Sequence, residues 1–421
     1  MVVVNDIVNA CIELYKEFPD KLKPNKDEWT VMSAVVGVFE EKHIKVLSFG
    51  TGSKCIGRSM LSEKGDVLND SHAEVIARRA FLKYLYNEML FYNETCTSDV
   101  LYRKDILFIV KDSVKFYFVT SMLPCGDAAI MPKSDISITD LELTYGSVQK
   151  RKLSDENCDT KRMKLEFSKI SSDILDIHRT GAKCLPESLI QDPHLPGVSY
   201  HNIGAVRTKP GRGDPTLSLS CSDKIAKWTS IGWQGALLSL LLEKPITVDA
   251  IICGGGSPFS QESFNRAINE RTNRDNFTPI HQSAVIFPNI KTSKRKPSPV
   301  CLIWSRTRRG GDLEVAVNGR KQGVTKKNLN KKVARTSICK KELFLLFGLV
   351  VNTLPEKEKF LENILGEDGA THLNEKLRYG QVKSMAKEYQ SMWKSIRDGC
   401  FKVWSRKPVE LLNFTLEDDS A

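Results

Sequence analysis

The chain has 421 residues, 41% of them hydrophobic and 27% charged, which suits a soluble globular protein with a large core or two lobes sharing one. Its 62 basic residues outnumber 51 acidic ones; the formal charge of +11 favours a polyanionic partner, most simply nucleic acid. Eleven scattered cysteines, an opening "MVVVNDIVNA" with no cationic start, and apolar runs far short of the ~20 residues that cross a bilayer argue against secretion and membrane insertion, and for a reduced intracellular protein of nucleus, cytoplasm or both.

In chain order, "NDIVNACIELYKEF" puts Ile7, Cys11, Leu14 and Tyr15 at helical spacing and predicts an amphipathic helix. "IKVLSFGTGSKC" reads as a strand entering a Gly-rich turn, and residues 71–91 as a long helix. "DILFIVK" and "KFYFVTS" are strand-like, and "MLPCGDAAI" is a turn entering a helix. From about 143 to 200 the texture turns polar and Pro/Gly-rich, which predicts a mostly irregular, partly disordered insert. Order returns at "GDPTLSLSCSDKIAKW", with a helix over about 222–243, the strand "ITVDAIICGG" and another helix. A basic loop at 291–296, the stretch "WSRTRRGGDLEVAVNGRKQG" and helices near 340–350 and 381–399 complete the chain. No internal repeat is visible, and strands alternating with helices argue for an α/β fold.

Two short motifs carry chemistry. "HAE" at 72–74 and "PCG" at 124–126 both lie where a strand gives way to a helix. A nucleobase deaminase needs zinc held by three protein ligands and a glutamate that moves protons without ligating; His-x-Glu followed by Pro-Cys supplies the histidine, the glutamate and one thiolate. Singly, a His-x-Glu or a lone cysteine is most often structural; together, in these contexts, they favour a metal site of His72 and Cys125 with Glu74 as acid/base. Ala128 stands where Pro-Cys-x-x-Cys would have its second cysteine. The best candidate for the third ligand is Cys221, which follows a strand-like run and opens a helix, where a thiolate is favoured. Cys253 and Cys301 sit in apolar runs and read as core. "GGGSPFS" at 254–260 lacks the spacing of a nucleotide-binding loop and reads as close backbone packing or RNA approach. The basic clusters of 150–164 suit a nuclear signal, RNA-binding charge or a solvated loop.

"LNDSHAEVIARRAFLKYLY", "LPCGDAA", "SCSDKIAKW", "GTGSKC" and "KSMAKEYQ" closely resemble the catalytic domain of the RNA adenosine deaminases, over about residues 30 to 410 with the insert excluded. That family includes double-stranded-RNA editors and tRNA-acting enzymes, and "VRTKPGRGDPTLSLSCSDK" leans to the tRNA branch. The resemblance implies one deaminase domain over 1–421, with a cytidine-deaminase-like core, a mixed sheet flanked by helices, enlarged by a C-terminal helical region around a buried polyanion. It implies zinc on His72, Cys125 and Cys221, Glu74 as the acid/base, and Ser53 and Lys54 near the flipped nucleotide. The expected reaction hydrolyses adenosine to inosine, Glu74 taking a proton from a zinc-activated water and passing protons to N1 and the leaving amine. The substrate it implies is the adenosine immediately 3′ of the anticodon of alanine tRNA, handled by a monomer with no DNA or membrane partner.

The arginines after "HAE" raise a separate expectation. Arg79 shares the His72 side of its helix, Arg78 lies four residues after Glu74, and Lys224 and Lys227 follow Cys221 on a second helix. Four cations converging on one interior, with few acids nearby, call for a trapped anion. In the resembling family this is inositol hexakisphosphate, and Tyr379, Lys383, Tyr389, Trp404 and Lys407 match its site, with Arg320 or Lys321 as further candidates. Alternatives are an editor of duplex or messenger RNA, for which about 70 residues before "HAE" leave no room for a separate RNA-binding module; an inactive RNA-binding subunit, which the presence of Glu74 argues against; and a free-nucleoside deaminase, disfavoured by size and charge.

Overall fold

The eight-residue run "MSAVVGVF" is buried from end to end, so strand β1 (Met32–Phe39) must be covered on both faces. Its side chains alternate: Met32, Ala34, Val36 and Val38 join one apolar cluster, while Val35 and Phe39 join another. Helix α1 (Val4–Glu17) closes the first side with Ile7, Val8, Cys11 and Tyr15 buried, as its spacing predicts. Tyr15 and Phe18 pack there against Phe49 of β2 (His43–Thr51). Burial of each such side chain stabilises by about 1.5–3 kcal/mol, so the two clusters hold the sheet like a filled sandwich. The computed structural model describes residues 4–133, 176–211, 213–272, 277–365 and 377–416.

In chain order the elements that build the site are β3 (Ser53–Cys55), β4 (Asp70–His72), α2 (Ala73–Thr95), β5 (Val114–Thr120), α3 (Cys221–Ile231), β6 (Ala250–Gly255), α4 (Gln261–Ile268), β7 (Ile280–Ile286), β8 (Cys301–Thr307), β9 (Gly310–Val317), β10 (Arg320–Lys321), α5 (Lys340–Asn352), α6 (Tyr379–Met385) and α7 (Lys387–Asp398). The central sheet runs β7-β6-β5-β1-β2-β8-β9-β10. β6 pairs parallel with both β5 and β7, and the remaining pairs are antiparallel, so the sheet is mixed, with helices on its faces as expected. No helix among the described residues is long and apolar enough to cross a membrane.

Four expectations need correction. "IKVLSFGTGSKC" opens as the expected strand, but in place of a Gly-rich turn the chain starts β3 directly after Gly52, and β3 pairs antiparallel with β4. The residues after Cys125 form a single 3-10 turn over Asp127–Ala129 rather than a helix. Gly126 turns the backbone at φ +105°, and the Ala128 N–H goes to the Ser222 hydroxyl instead of continuing a helix. The helix foreseen over 222–243 breaks at Gly232, φ +94°, with a short second helix over Gly235–Ser239. Finally, residues 176–200 are irregular but well anchored, through the buried Asp192 carboxylate and the Arg207 guanidinium. The basic clusters of 150–164, with Cys158, lie outside the described residues. The glycines of "GGGSPFS" pack closely, with Gly254 against Phe287 and Gly255 against the Ala284 carbonyl.

Helix α2 starts where it does because β2 lets it approach. A side chain at Gly50 would lie 2.5 Å from Ile76 Cγ2 and 3.0 Å from the Ala73 carbonyl. Gly50→Val is therefore expected to destabilise the fold by about 1–3 kcal/mol, by pushing α2 off the sheet. Denaturant unfolding measures this directly; an unchanged midpoint would show that α2 is not seated on Gly50.

Candidate active site and an adjoining cationic cavity

Strand β4 delivers two functional side chains two residues apart, Asp70 and His72, and His72 then caps α2. Asp70 Oδ1 lies 2.9 Å from His72 Nδ1. Burial alone would push the Asp70 carboxyl up, but Lys209, Lys224 and His72 hold it well below the usual carboxylate range. An ionised carboxylate only accepts, so Nδ1 donates to Asp70 and Nε2 is the nitrogen left for a metal; without one, burial is outweighed by the Asp70 charge, which raises the His72 pKa to about 9.

Two cysteines come to the same place from distant segments. Cys125 leaves its strand-side loop at Gly126, and Cys221 opens α3, whose N-cap Ser220 accepts from Asp223 N–H. The Cys221 N–H points at Cys125 Sγ, 3.3 Å away. Cys125 is held well below the ordinary thiol range, first by its hydrogen bond with Cys221 and also by contact with His72. Cys221 is pushed well above it, by burial first and then by the Cys125 thiolate. The two sulfurs thus lie within hydrogen-bond reach of each other, next to His72. Among the described residues no three His, Cys, Asp or Glu side chains stand as a finished metal cage; the three candidates meet in pairs around Cys125. Their donor set, one imidazole nitrogen and two sulfurs, is that of a zinc site with an open fourth position, so these residues fit that metal. All ten cysteines among the described residues are free. Cys253 and Cys301 are buried core residues, as read from sequence.

Glu74, in the first turn of α2, is 3% exposed, and its Oε2 has no hydrogen-bond partner within the protein. Burial, then the nearby Cys125 charge, raises its pKa. A buried carboxyl with one unpartnered oxygen that holds a proton more tightly than usual is suited to shuttling one. β3 runs beside this group with Ser53 opposite His72 and Lys54 opposite Ser71, so Ser53 shares the His72 side of the ribbon and Lys54 the other; both are half-buried. The loop after Lys209 is fastened alongside: Asp214 Oδ2 accepts from Ser59 N–H at 3.0 Å, and the Pro215 carbonyl accepts from Arg58 N–H at 2.8 Å.

Sequence reading missed Asp70 and Lys209 here. Lys209 Nζ donates to Asp70 Oδ2 at 2.7 Å and reaches Cys221 Sγ at 3.2 Å. Lys224 also donates to Asp70 Oδ2. Asp70 was legible as an acid two positions before His72 on the same side of a strand; Lys209, 139 residues from Asp70, had no local signal.

Behind Asp70 opens a cavity of about 550 Å³. Arg78, Arg79, Lys224 and Lys227 all line it, as do Tyr379, Lys383, Tyr389, Trp404 and Lys407. Lys340, Trp393, Arg397 and Arg406 join them unforeseen, although Trp393 and Arg397 continue the Tyr389 stripe at four-residue spacing on α7. Among the lining residues Asp70 is the one carboxylate. Arg320 and Lys321 are elsewhere: at the sheet edge Arg320 faces Asp66 at 3.5 Å, and Lys321 pairs with Glu314 at 2.9 Å. These two are therefore removed from the expected anion site, because each has an acid of its own.

The cavity is electrostatically uncomfortable. Lys227 stacks 3.6 Å from the Trp393 ring centre, and burial, then Lys383 and Arg78, push its pKa well down. Burial, then Arg79 and Lys383, lower Lys340 to about 8, and burial lowers Arg78 to about 10. Lys407 has a large accessible area yet is surrounded by protein and likewise depressed; its open face is the cavity. A buried like-charge cluster of this kind fits a compact polyanion held by charge-assisted hydrogen bonds. A pH dependence follows for the chain without an anion. These lysines have folded pKa values below their unfolded ones, so between the two the unfolded chain holds more protons and stability rises with pH. Its thermal midpoint is expected to climb as pH rises through about 8, where Lys340 discharges. A midpoint that is flat or falls across that window in anion-free protein would contradict the repulsion.

The family described as adenosine-deaminase (editase) domain matches residues 48–408. The chain is 34% identical, over 98% of its length and 96% of the relative's, to the Drosophila melanogaster protein named tRNA-specific adenosine deaminase 1. The human protein of that name is 32% identical over 98% of this chain and 100% of its own. The mouse double-stranded RNA-specific adenosine deaminase is 29% identical over 88% of this chain but 29% of its own length.

Proposed function

Because the chain belongs to the adenosine-deaminase (editase) family, we propose that it is a tRNA adenosine deaminase, a hydrolase that converts adenosine to inosine and releases ammonia. The observation that carries this reading is Glu74, buried with an unpartnered oxygen beside His72, Cys125 and Cys221. In this reading His72, Cys125 and Cys221 hold one zinc ion. Zinc there supplies Lewis acidity that makes water a usable nucleophile near neutral pH. Asp70 fixes the His72 tautomer, and Lys209 balances the thiolate charge of Cys221. Glu74 accepts a proton from the water that attacks C6 of adenine and delivers it to N1; it then takes the second proton from the new C6 hydroxyl and passes it to the amine, which leaves as ammonia as the C6 carbonyl forms. The adenosine has to leave its stack to reach Glu74, and the family resemblance assigns Ser53 and Lys54 to meet it.

tRNA as substrate is supported by the fly and human relatives, which are named for it and align along nearly their whole length. The resemblance narrows the proposal to the adenosine immediately 3′ of the anticodon of alanine tRNA, acted on by a monomeric intracellular chain that is a single editase domain. The chain's +11 charge suits an RNA partner.

Glu74→Gln keeps size and hydrogen bonding but cannot carry the proton. It is expected to retain zinc and tRNA binding while losing nearly all turnover on full-length alanine tRNA. Near-parental deamination by that variant would remove Glu74 from the mechanism, and protein free of zinc with full activity would remove the metal.

The cavity is assigned, as part of the same proposal, to one inositol hexakisphosphate acting as a folding cofactor, with Arg78, Arg79, Lys224, Lys227, Lys340, Lys383 and Lys407 supplying its counter-charge and Tyr379, Tyr389 and Trp404 its walls. Mass spectrometry of acid-denatured protein is expected to find it in about one copy per chain. Stable, active protein from cells unable to make the compound would sink the assignment.

A further inference from the structure

The segment between the two cysteines carries a cluster that the reaction does not use. Arg179 sits over the Tyr200 ring, its guanidinium carbon 4.0 Å from the ring centre. Asp176 tethers it at 3.7 Å, yet the Arg179 side chain remains 47% exposed and so is accessible to a partner. His194, an exposed residue, meets Tyr200 edge-on at 4.9 Å, with its backbone in the left-handed region at φ +54°. Here the His194 N–H is tied to the Tyr200 carbonyl at 3.2 Å.

The cluster is rigidly founded and lies next to the active site. Thr180, adjacent to Arg179, accepts from the N–H of Gly126, the neighbour of Cys125, at 3.0 Å. At the other end Asp192 is clasped by the fully buried Arg207, by the Asn202 N–H at 2.9 Å and by His201 at 3.0 Å. Two residues beyond Arg207 stands Lys209, in contact with Asp70 and Cys221. Both ends of the segment are therefore fastened to the proposed metal ligands, and its outer face presents an arginine and aromatic rings to solvent.

We propose that Arg179, backed by Tyr200 and flanked by His194, is a stacking platform for an unstacked base of the substrate RNA close to the target adenosine. The inference rests on the reading of the chain as an RNA deaminase. A guanidinium already lying on an aromatic ring is pre-ordered to take a base on its other face, and bases stack on such planes whatever their identity. A lysine cannot replace it, because an ammonium offers charge without a plane.

The test uses the full chain with zinc, a full-length tRNA transcript, and the variants Arg179→Lys, Arg179→Ala, Tyr200→Leu and Tyr200→Phe, with both steady-state deamination and the Kd of the labelled transcript measured. Arg179→Lys and Tyr200→Leu are expected to raise KM and Kd by about tenfold, with kcat, zinc content and thermal midpoint close to the parent. Tyr200→Phe is expected to rescue the loss seen with Tyr200→Leu. The platform is overturned if Arg179→Lys binds like the parent while Arg179→Ala is weak, which is a phosphate contact, or if the variants lose kcat and thermal midpoint together, which is a structural staple. A parent that binds the transcript but never deaminates it refutes the deaminase reading, and the Kd series still decides the platform.

Discussion

One buried carboxylate, Asp70, joins the candidate active site to the cationic cavity. It fixes His72 on one side, and takes Lys209 and Lys224 on the other. Lys209 continues to Cys221, while Lys224 faces the cavity. A single acid cannot neutralise two buried lysines and a cavity wall of further cations. The arrangement therefore leaves net positive charge behind the site, and whatever neutralises the cavity also sets the field felt by Asp70, His72 and Cys221. The charge of the cavity and the surroundings of Glu74 meet at that one group.

The architecture explains how so few residues of chain meet there. β4 puts Asp70 and His72 on the same side of a strand, α2 begins at once and carries Glu74, Arg78 and Arg79 inward, and α3 does the same for Cys221, Lys224 and Lys227. Each helix opens at the active site and runs along the cavity, so the two sites are successive turns of the same helices. The approach of α2 to β2 at Gly50 and the turn at Gly126 set where those helices and loops sit.

Much of this could be read in the sequence where the signal is local. "HAE" and "PCG" flank strand ends, Cys221 opens a helix, and the spacing from His72 to Arg79 places a cation two turns deeper; all of these are properties of a few neighbouring residues. What escaped depends on partners far along the chain. The helix expected after Cys125 is cut to one turn because Ser222, 94 residues on, takes its Ala128 N–H. Lys209 finds Asp70 only through tertiary packing. Arg320 and Lys321 look as basic as Lys383 or Lys407, and nothing nearby in sequence says that Asp66 and Glu314 face them instead. The order of residues 176–200 likewise depends on Arg207 burying Asp192, which a Pro/Gly-rich composition hides.

The central claim is that this cluster deaminates adenosine in tRNA. Incubation of the zinc-loaded chain with total cellular RNA, followed by sequencing for adenosine-to-inosine changes, tests it most directly. The account predicts new inosine in tRNA, concentrated at the position immediately 3′ of the anticodon. Inosine spread through duplex messenger RNA with none in tRNA, or no inosine at all, would contradict it.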